Sequence, residues 1–205
     1  MFYIMSSIAG GYFGEGVPKP ARVMVSREFV RAFPDGLGEV KTAANYAISI
    51  YPQKLASQKE CDQVLFLDAI HREYIDELGG MNFFAIRGNE LLTPELNGCI
   101  LHGITRRSII EMAPKMGLKP IEARIAFSDF CKEIESGKIT EAFACGTAAI
   151  VCPISEFIYQ EKLSSEATRI RFQNEPKISL KILHKLSEIQ RGHDAAYNSW
   201  IFSIP

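Results

Sequence analysis

The sequence is short of almost every feature that would mark a membrane protein, a disulfide-stapled domain or a metal site. No apolar run approaches the ~20 residues of a membrane-spanning helix; the stretch Ala142–Val151 is among the longest and has polar residues inside it. Met1–Met5 is apolar but has no basic region before it, so Met1–Ile8 reads as a strand and not as a signal peptide. The cysteines, Cys61, Cys99, Cys131, Cys145 and Cys152, are odd in number and irregularly spaced. They form neither a disulfide framework nor a zinc-ligand pattern, and the expected setting is a reducing one, the cytoplasm. His71, His102, His184 and His193 are scattered, so no metal is expected. Neither sign of charge dominates, with 23 Lys+Arg against 24 Asp+Glu, and no basic run appears. Nucleic acid and anionic membranes are therefore not expected partners. Gly10–Gly16 is glycine-rich but leads into Pro18 and Pro20 instead of a helix, which excludes a dinucleotide fingerprint; phosphate-loop and nucleophile-elbow signatures are also missing.

What is present is the composition of a globular chain. The 205 residues are 47% hydrophobic and 23% charged, enough for one large domain or two small ones and for a sizeable core. Arg22–Ser26 alternates like a strand, and Phe29–Phe33 is a second candidate. Thr42–Gln58 has Ala44, Ile48, Tyr51 and Leu55 at helical spacing, with Pro52 inside. An antiparallel meander is expected over Gln63–Ala69, Glu73–Asp76, Met81–Arg87 and Leu91–Thr93, with Gly88-Asn89 as a two-residue hairpin turn. Helices are predicted over Thr105–Met116, from a Ser128 cap to about Ser136, and over Pro176–Gln190; strands over Ile121–Phe127, Glu141–Cys145 and Ala149–Ile154. The fold class is mixed α/β of the α+β kind, an open-barrel-like sheet flanked by helices.

Four segments could carry chemistry. Lys41 follows a glycine-bearing turn and precedes small side chains, Thr42-Ala43-Ala44, which leave room for a flat ligand; such a lysine could attack a carbonyl cofactor, and a solvated surface lysine is the ordinary alternative. Glu77 sits before Gly79-Gly80 among apolar, strand-forming flanks, either as a solvated turn residue or as a buried carboxylate with a cationic partner. His102-Gly103-Ile104-Thr105 opens a helix, whose free N–H groups form an anion site, and Gly146-Thr147-Ala148 is a second small polar turn able to add donors. Each of these turns also occurs without a ligand.

Taken together and in order, these segments resemble branched-chain aminotransferases, members of the fold type IV enzymes that use pyridoxal phosphate (PLP). Gly38–Tyr46 resembles the family's lysine segment, Tyr74–Phe84 its cofactor-carboxylate segment, Leu92–Leu96 with Leu101–Arg106 its phosphate helix, Ala144–Ala149 its second phosphate turn, and Lys181–Gly192 its terminal helix. The resemblance implies that Lys41 carries PLP as a Schiff base and shuttles a proton, and that Glu77 pairs with the pyridine nitrogen. Tyr46 would meet the ring hydroxyl, Ile104, Thr105 and Thr147 the phosphate, and Ala148 the substrate carboxylate, while Tyr12 would lie near the substrate entrance. It further implies transfer of amino groups between leucine, isoleucine or valine and 2-oxoglutarate, in a homodimer.

The likeness has departures. His102 stands where proline is usual, Thr42-Ala43-Ala44 where many members carry glycines, and Ala149 where some carry the first cysteine of a redox pair with Cys152. Family members also carry a small domain that provides an arginine to the phosphate and aromatics to the substrate pocket. Residues 1–16 would be the end of that domain and its connecting loop, and 17–205 the large PLP-binding domain. An inactive remnant or half of a split aminotransferase is the alternative reading. D-amino acid aminotransferases and aminodeoxychorismate lyases share the fold, but Glu77–Asn82 and Ile189–Gly192 fit the branched-chain group better.

Overall fold

In the computed structural model, residues 3–6, 18–160 and 166–202 are described. Among them, nine strands form one sheet: β1 (Ala21–Ser26), β2 (Gln63–Leu67), β3 (Ile75–Leu78), β4 (Asn82–Arg87), β5 (Glu90–Pro94), β6 (Lys119–Ala123), β7 (Ile139–Gly146), β8 (Ile150–Tyr159) and β9 (Thr168–Arg171). Four α-helices among the described residues flank it: α1 (Ala43–Gln58), α2 (Ile104–Met112), α3 (Phe127–Glu135) and α4 (Ile178–Gln190). The strand order is β3-β2-β1-β8-β7-β4-β5-β6, and β9 pairs with β8. The sheet is mixed. β1 runs parallel to both β2 and β8, and β5 to β6, while the other pairs are antiparallel. β8 is long enough to serve two partners on one edge. Its first half pairs with β7, and its last four residues pair with β9 on one side and β1 on the other. That hand-over gives the sheet its open-barrel-like form, as the sequence led us to expect.

Strands β2 to β5 are buried on both faces, which is why several read as continuous apolar runs, whereas most residues of β6 and β9 are not buried. In β4, Phe83 and Ala85 point to a core shared with α3, where Phe83 meets Phe130 and Phe157 edge to face at 5.6 and 6.3 Å. Phe84 and Ile86 point to the opposite core, built with Ile109 and Met112 of α2 and Ile182 and Leu186 of α4, where Phe84 stacks on Phe143 at 5.2 Å. A smaller cluster seats α1 on β1 and β2 through Ala56, Val64 and Phe66.

Several sequence expectations are corrected. Phe29–Phe33 forms no strand; its residues Arg31 and Ala32 are buried in a loop that follows β1. The expected meander is interrupted, because β2 takes β1 as a parallel neighbour and β4 takes β7. Ser128 lies inside α3, whose N-cap is Ala126. Residues 3–6 carry no strand, and the remainder of Met1–Ile8 is outside the described residues. The hairpin at Gly88-Asn89 is as expected, with Arg87 opposite Glu90.

Candidate functional site

Asn45 builds the turn that presents Lys41. Its side-chain amide donates to the carbonyls of Val40, at 2.8 Å, and of Leu37, locking the chain just before α1. Lys41 Nζ donates to Tyr46 Oη at 2.8 Å and sits 5.0 Å from that ring's centroid. Both residues line a cleft of ≈ 900 Å³, with Gly79, Gly80 and Met81 on one side and Gly146, Thr147 and Ala148 on another. A cavity of ≈ 210 Å³ shares Lys41, Gly80, Met81, Gly146 and Thr147 with that cleft and adds Glu77, Gly103, Ile104 and Thr105.

Glu77 is 3% exposed, so the solvated-turn alternative is excluded. Its Oε1 accepts from Leu101 N–H at 2.9 Å and its Oε2 from Asn82 Nδ2 at 2.7 Å. Arg31, itself 4% exposed, brings its Nη2 to 2.5 Å of Glu77 Oε1. Burial pushes the Glu77 carboxyl up to about 7, against the pull of the Arg31 charge and the Leu101 N–H in the other direction. Such a carboxyl holds or releases a proton near neutral pH according to what faces it.

At the far end of the smaller cavity, Gly103 is the N-cap of α2, and no side chain caps it or places an acid in its first turn. The N-terminal N–H groups of this helix are therefore left for a ligand, beside the basic Arg106 and Arg107. Gly103 is required by close approach, because a Cβ there would collide with the Asn82 side chain. Gly38 is required likewise, since its Cβ would enter the backbone of Cys99.

The structure thus gathers Lys41, Tyr46, Glu77, Ile104, Thr105, Thr147 and Ala148 around two adjoining cavities. Tyr12 lies outside the described residues. The sequence reading missed Arg31, and it missed Ser49, Gln53, Asp62 and Gln63, which line the distal part of the large cleft. An arginine inside the apolar run Phe29-Val30-Arg31-Ala32-Phe33 was the available signal for the first. All five cysteines are free and buried, and burial raises each thiol above its ordinary value, so none is a ready nucleophile. Among the described residues no group of His, Cys, Asp and Glu could hold a metal ion, and no helix is long and apolar enough to cross a membrane.

Fold and cleft together define a class: mixed α/β proteins that turn a lysine amine, a buried carboxyl and an uncapped helix start toward one ligand space. The profile of class IV amino-transferases matches residues 13–157, and the chain belongs to that family. A probable branched-chain-amino-acid aminotransferase of Streptomyces coelicolor is 38% identical over 204 residues, which are 100% of this chain and 55% of the relative. The branched-chain-amino-acid aminotransferase of Mycolicibacterium smegmatis is 40% identical, with 98% and 54% covered. The chain spans about half the length of the curated relatives it matches. Among solved structures, the branched-chain aminotransferase of Thermoproteus uzoniensis with norvaline superposes with a TM-score of 0.76 at 26% identity, covering 96% of this chain and 59% of that one. A T.th. branched-chain amino acid aminotransferase complexed with N-(5'-phosphopyridoxyl)-L-glutamate gives 0.74 at 25% identity, with 91% and 57% covered.

Proposed function

We propose that residues 17–205 form the large domain of a branched-chain aminotransferase, with residues 1–16 ending its small domain and the loop between them. Its reaction is the exchange of amino groups between leucine, isoleucine or valine and 2-oxoglutarate, with PLP as cofactor. The observation that carries this reading is the single cavity shared by Lys41, Glu77, the uncapped start of α2 and the Gly146-Thr147 turn. The donor set fits PLP: an amine for an aldehyde, an acid for a pyridine nitrogen, and N–H and hydroxyl groups for a phosphate. The phosphopyridoxyl group held by the T.th. relative supports the same choice.

When bound, PLP supplies an aldehyde carbon and an electron-withdrawing ring. The chain's residues supply the remainder. Lys41 Nζ would attach the cofactor and, as a free amine, would shuttle the proton between the substrate α-carbon and the cofactor's former aldehyde carbon. Glu77 would hold a proton on the ring nitrogen, and Tyr46 Oη, which accepts from the Lys41 amine, would also meet the ring hydroxyl. The N–H groups of Ile104 and Thr105, with the hydroxyls of Thr105 and Thr147, would bind the phosphate, and Ala148 N–H would meet the substrate carboxylate. A homodimer in the cytoplasm is the expected form, and the buried free thiols support a reducing compartment.

The test is the visible spectrum of the chain with added PLP beside that of Lys41→Ala. The expected result is a shifted cofactor band in the parent alone, converted by leucine. Identical spectra would overturn PLP binding by this chain. A shifted band that leucine leaves unchanged would mean that it holds the cofactor without turning over substrate.

A further inference from the structure

Arg31 touches three segments that build the site without lining its cavities. Its Nη2 donates to the carbonyl of Gly38 at 2.7 Å and to that of Cys99, and ion-pairs with Glu77 Oε1 at 2.5 Å. Gly38 lies three residues before Lys41. Cys99 lies two before Leu101, whose N–H binds Glu77 and whose carbonyl accepts from Asn82. Gly103, the cap of α2, follows at once. The Gly38 and Cys99 backbones are in direct contact, so one guanidinium bridges the lysine turn, the loop into α2 and the acid.

A buried ion pair is a poor device for stability alone, because desolvating both charges costs about as much as their attraction returns. Its value lies in what it fixes. Glu77 is faced by Arg31 from the 27–38 loop, by Asp76 in its own strand and by Arg106 from α2, with Lys41 lining the same cavity. Of the charges acting on Glu77, Arg31 acts most strongly, and it does so in direct contact.

We propose that Arg31 is a positioning residue of this site: it favours the anionic form of the buried Glu77 carboxyl and holds the Lys41 turn and the α2 start in place around it. The role deepens the cofactor reading, since an anionic Glu77 is what a protonated ring nitrogen requires. Without Arg31, burial would leave Glu77 a neutral acid over a wider pH range.

The experiment titrates the full chain, carrying 13C-labelled glutamate side chains, by NMR without added ligand, using Glu77→Gln to assign the signal. Arg31→Gln keeps a donor but removes the charge, and should raise the Glu77 midpoint by about one pH unit or more. Arg31→Lys keeps the charge and should hold the midpoint within about half a unit of the parent. An unmoved midpoint in Arg31→Gln overturns the proposal. If that variant does not fold, Arg31→Lys decides, and a rise of about one unit there overturns it. PLP binding by the same proteins separates the two readings: midpoints that move as expected in proteins that bind no PLP leave Arg31's hold on Glu77 standing and remove the cofactor reading.

Discussion

Asp76 and Glu77 are neighbours in β3 and so face opposite sides of the sheet, yet both carboxyls grip the same loop. Asp76 accepts from Asn97 at 3.1 Å and Glu77 from Leu101 at 2.9 Å. Burial pushes Asp76 up to about 6, opposed by the Asn97 amide, and Glu77 up to about 7. Both lie above their unfolded values, so the folded chain binds more protons than the unfolded one across the window from about pH 4 to 7. Their contribution to stability is complete at the acid end and is lost as pH rises through those two values. Asp68 and Glu156 act in reverse. Burial would raise both, but backbone N–H groups around Asp68, and Arg171 and Arg22 beside Glu156, outweigh it. Their contribution is present above their unfolded values and lost as pH falls through the lowered ones. The melting temperature of the chain without ligand should therefore peak near about pH 5 and fall toward pH 7.5. Asp76→Asn with Glu77→Gln should flatten the alkaline limb; an undiminished slope in that variant would refute the assignment.

Two helix starts show opposite treatments of the same orphan N–H groups. The start of α4 is capped from outside: Glu141 of β7 accepts from the N–H groups of Lys177, Ile178 and Ser179 at 2.9, 2.8 and 2.9 Å, and from Ser179 Oγ at 2.7 Å. The start of α2 receives no side chain. Replacing Glu141 with Ala should destabilise the chain by about 2–4 kcal/mol in urea unfolding, since buried donors lose their acceptor. A loss under about 0.5 kcal/mol would mean that water replaces the carboxylate. Glu141 also marks where the sequence stops being legible. Helices α1 and α4 and the Gly88-Asn89 hairpin follow from local spacing and turn chemistry, and were readable. The cap is invisible locally, because 36 residues separate Glu141 from Lys177. β9 was missed for a like reason: Thr168–Arg171 is polar, with Ile170 alone buried, and its pairing with β8 makes it a strand. Lys41, Glu77, Thr105 and Thr147 could be picked out because each lies beside glycine or small residues. Arg31 gave only the weaker signal of a charge inside an apolar run, since that run reads as a strand candidate and the partners of Arg31 lie 7, 46 and 68 residues away.

At the scale of the molecule, six of the exposed large apolar side chains among the described residues fall in one stretch of chain: Phe33, Leu37 and Val40 ahead of α1, and Ile48, Ile50 and Tyr51 on it. Grouped exposure of this kind favours association. Size-exclusion chromatography should show elution that shifts to larger size with concentration, and Val40→Lys with Ile48→Lys should reduce the shift. A single monomer peak at all concentrations in the parent would show that this surface is tolerated by water. The pairing of β1 has a further consequence, in the time domain. One edge of β1 can be covered by β2 soon after residue 67 is made, but the other pairs Val25 with Tyr159, roughly 130 residues later. At about 5–20 residues per second, a ribosome needs on the order of 7–27 s to deliver that partner. Through that interval Val23 and Val25 offer a bare strand edge to any neighbour, so the chain is most open to misassembly while it is being synthesised, and its last long strand ends the risk.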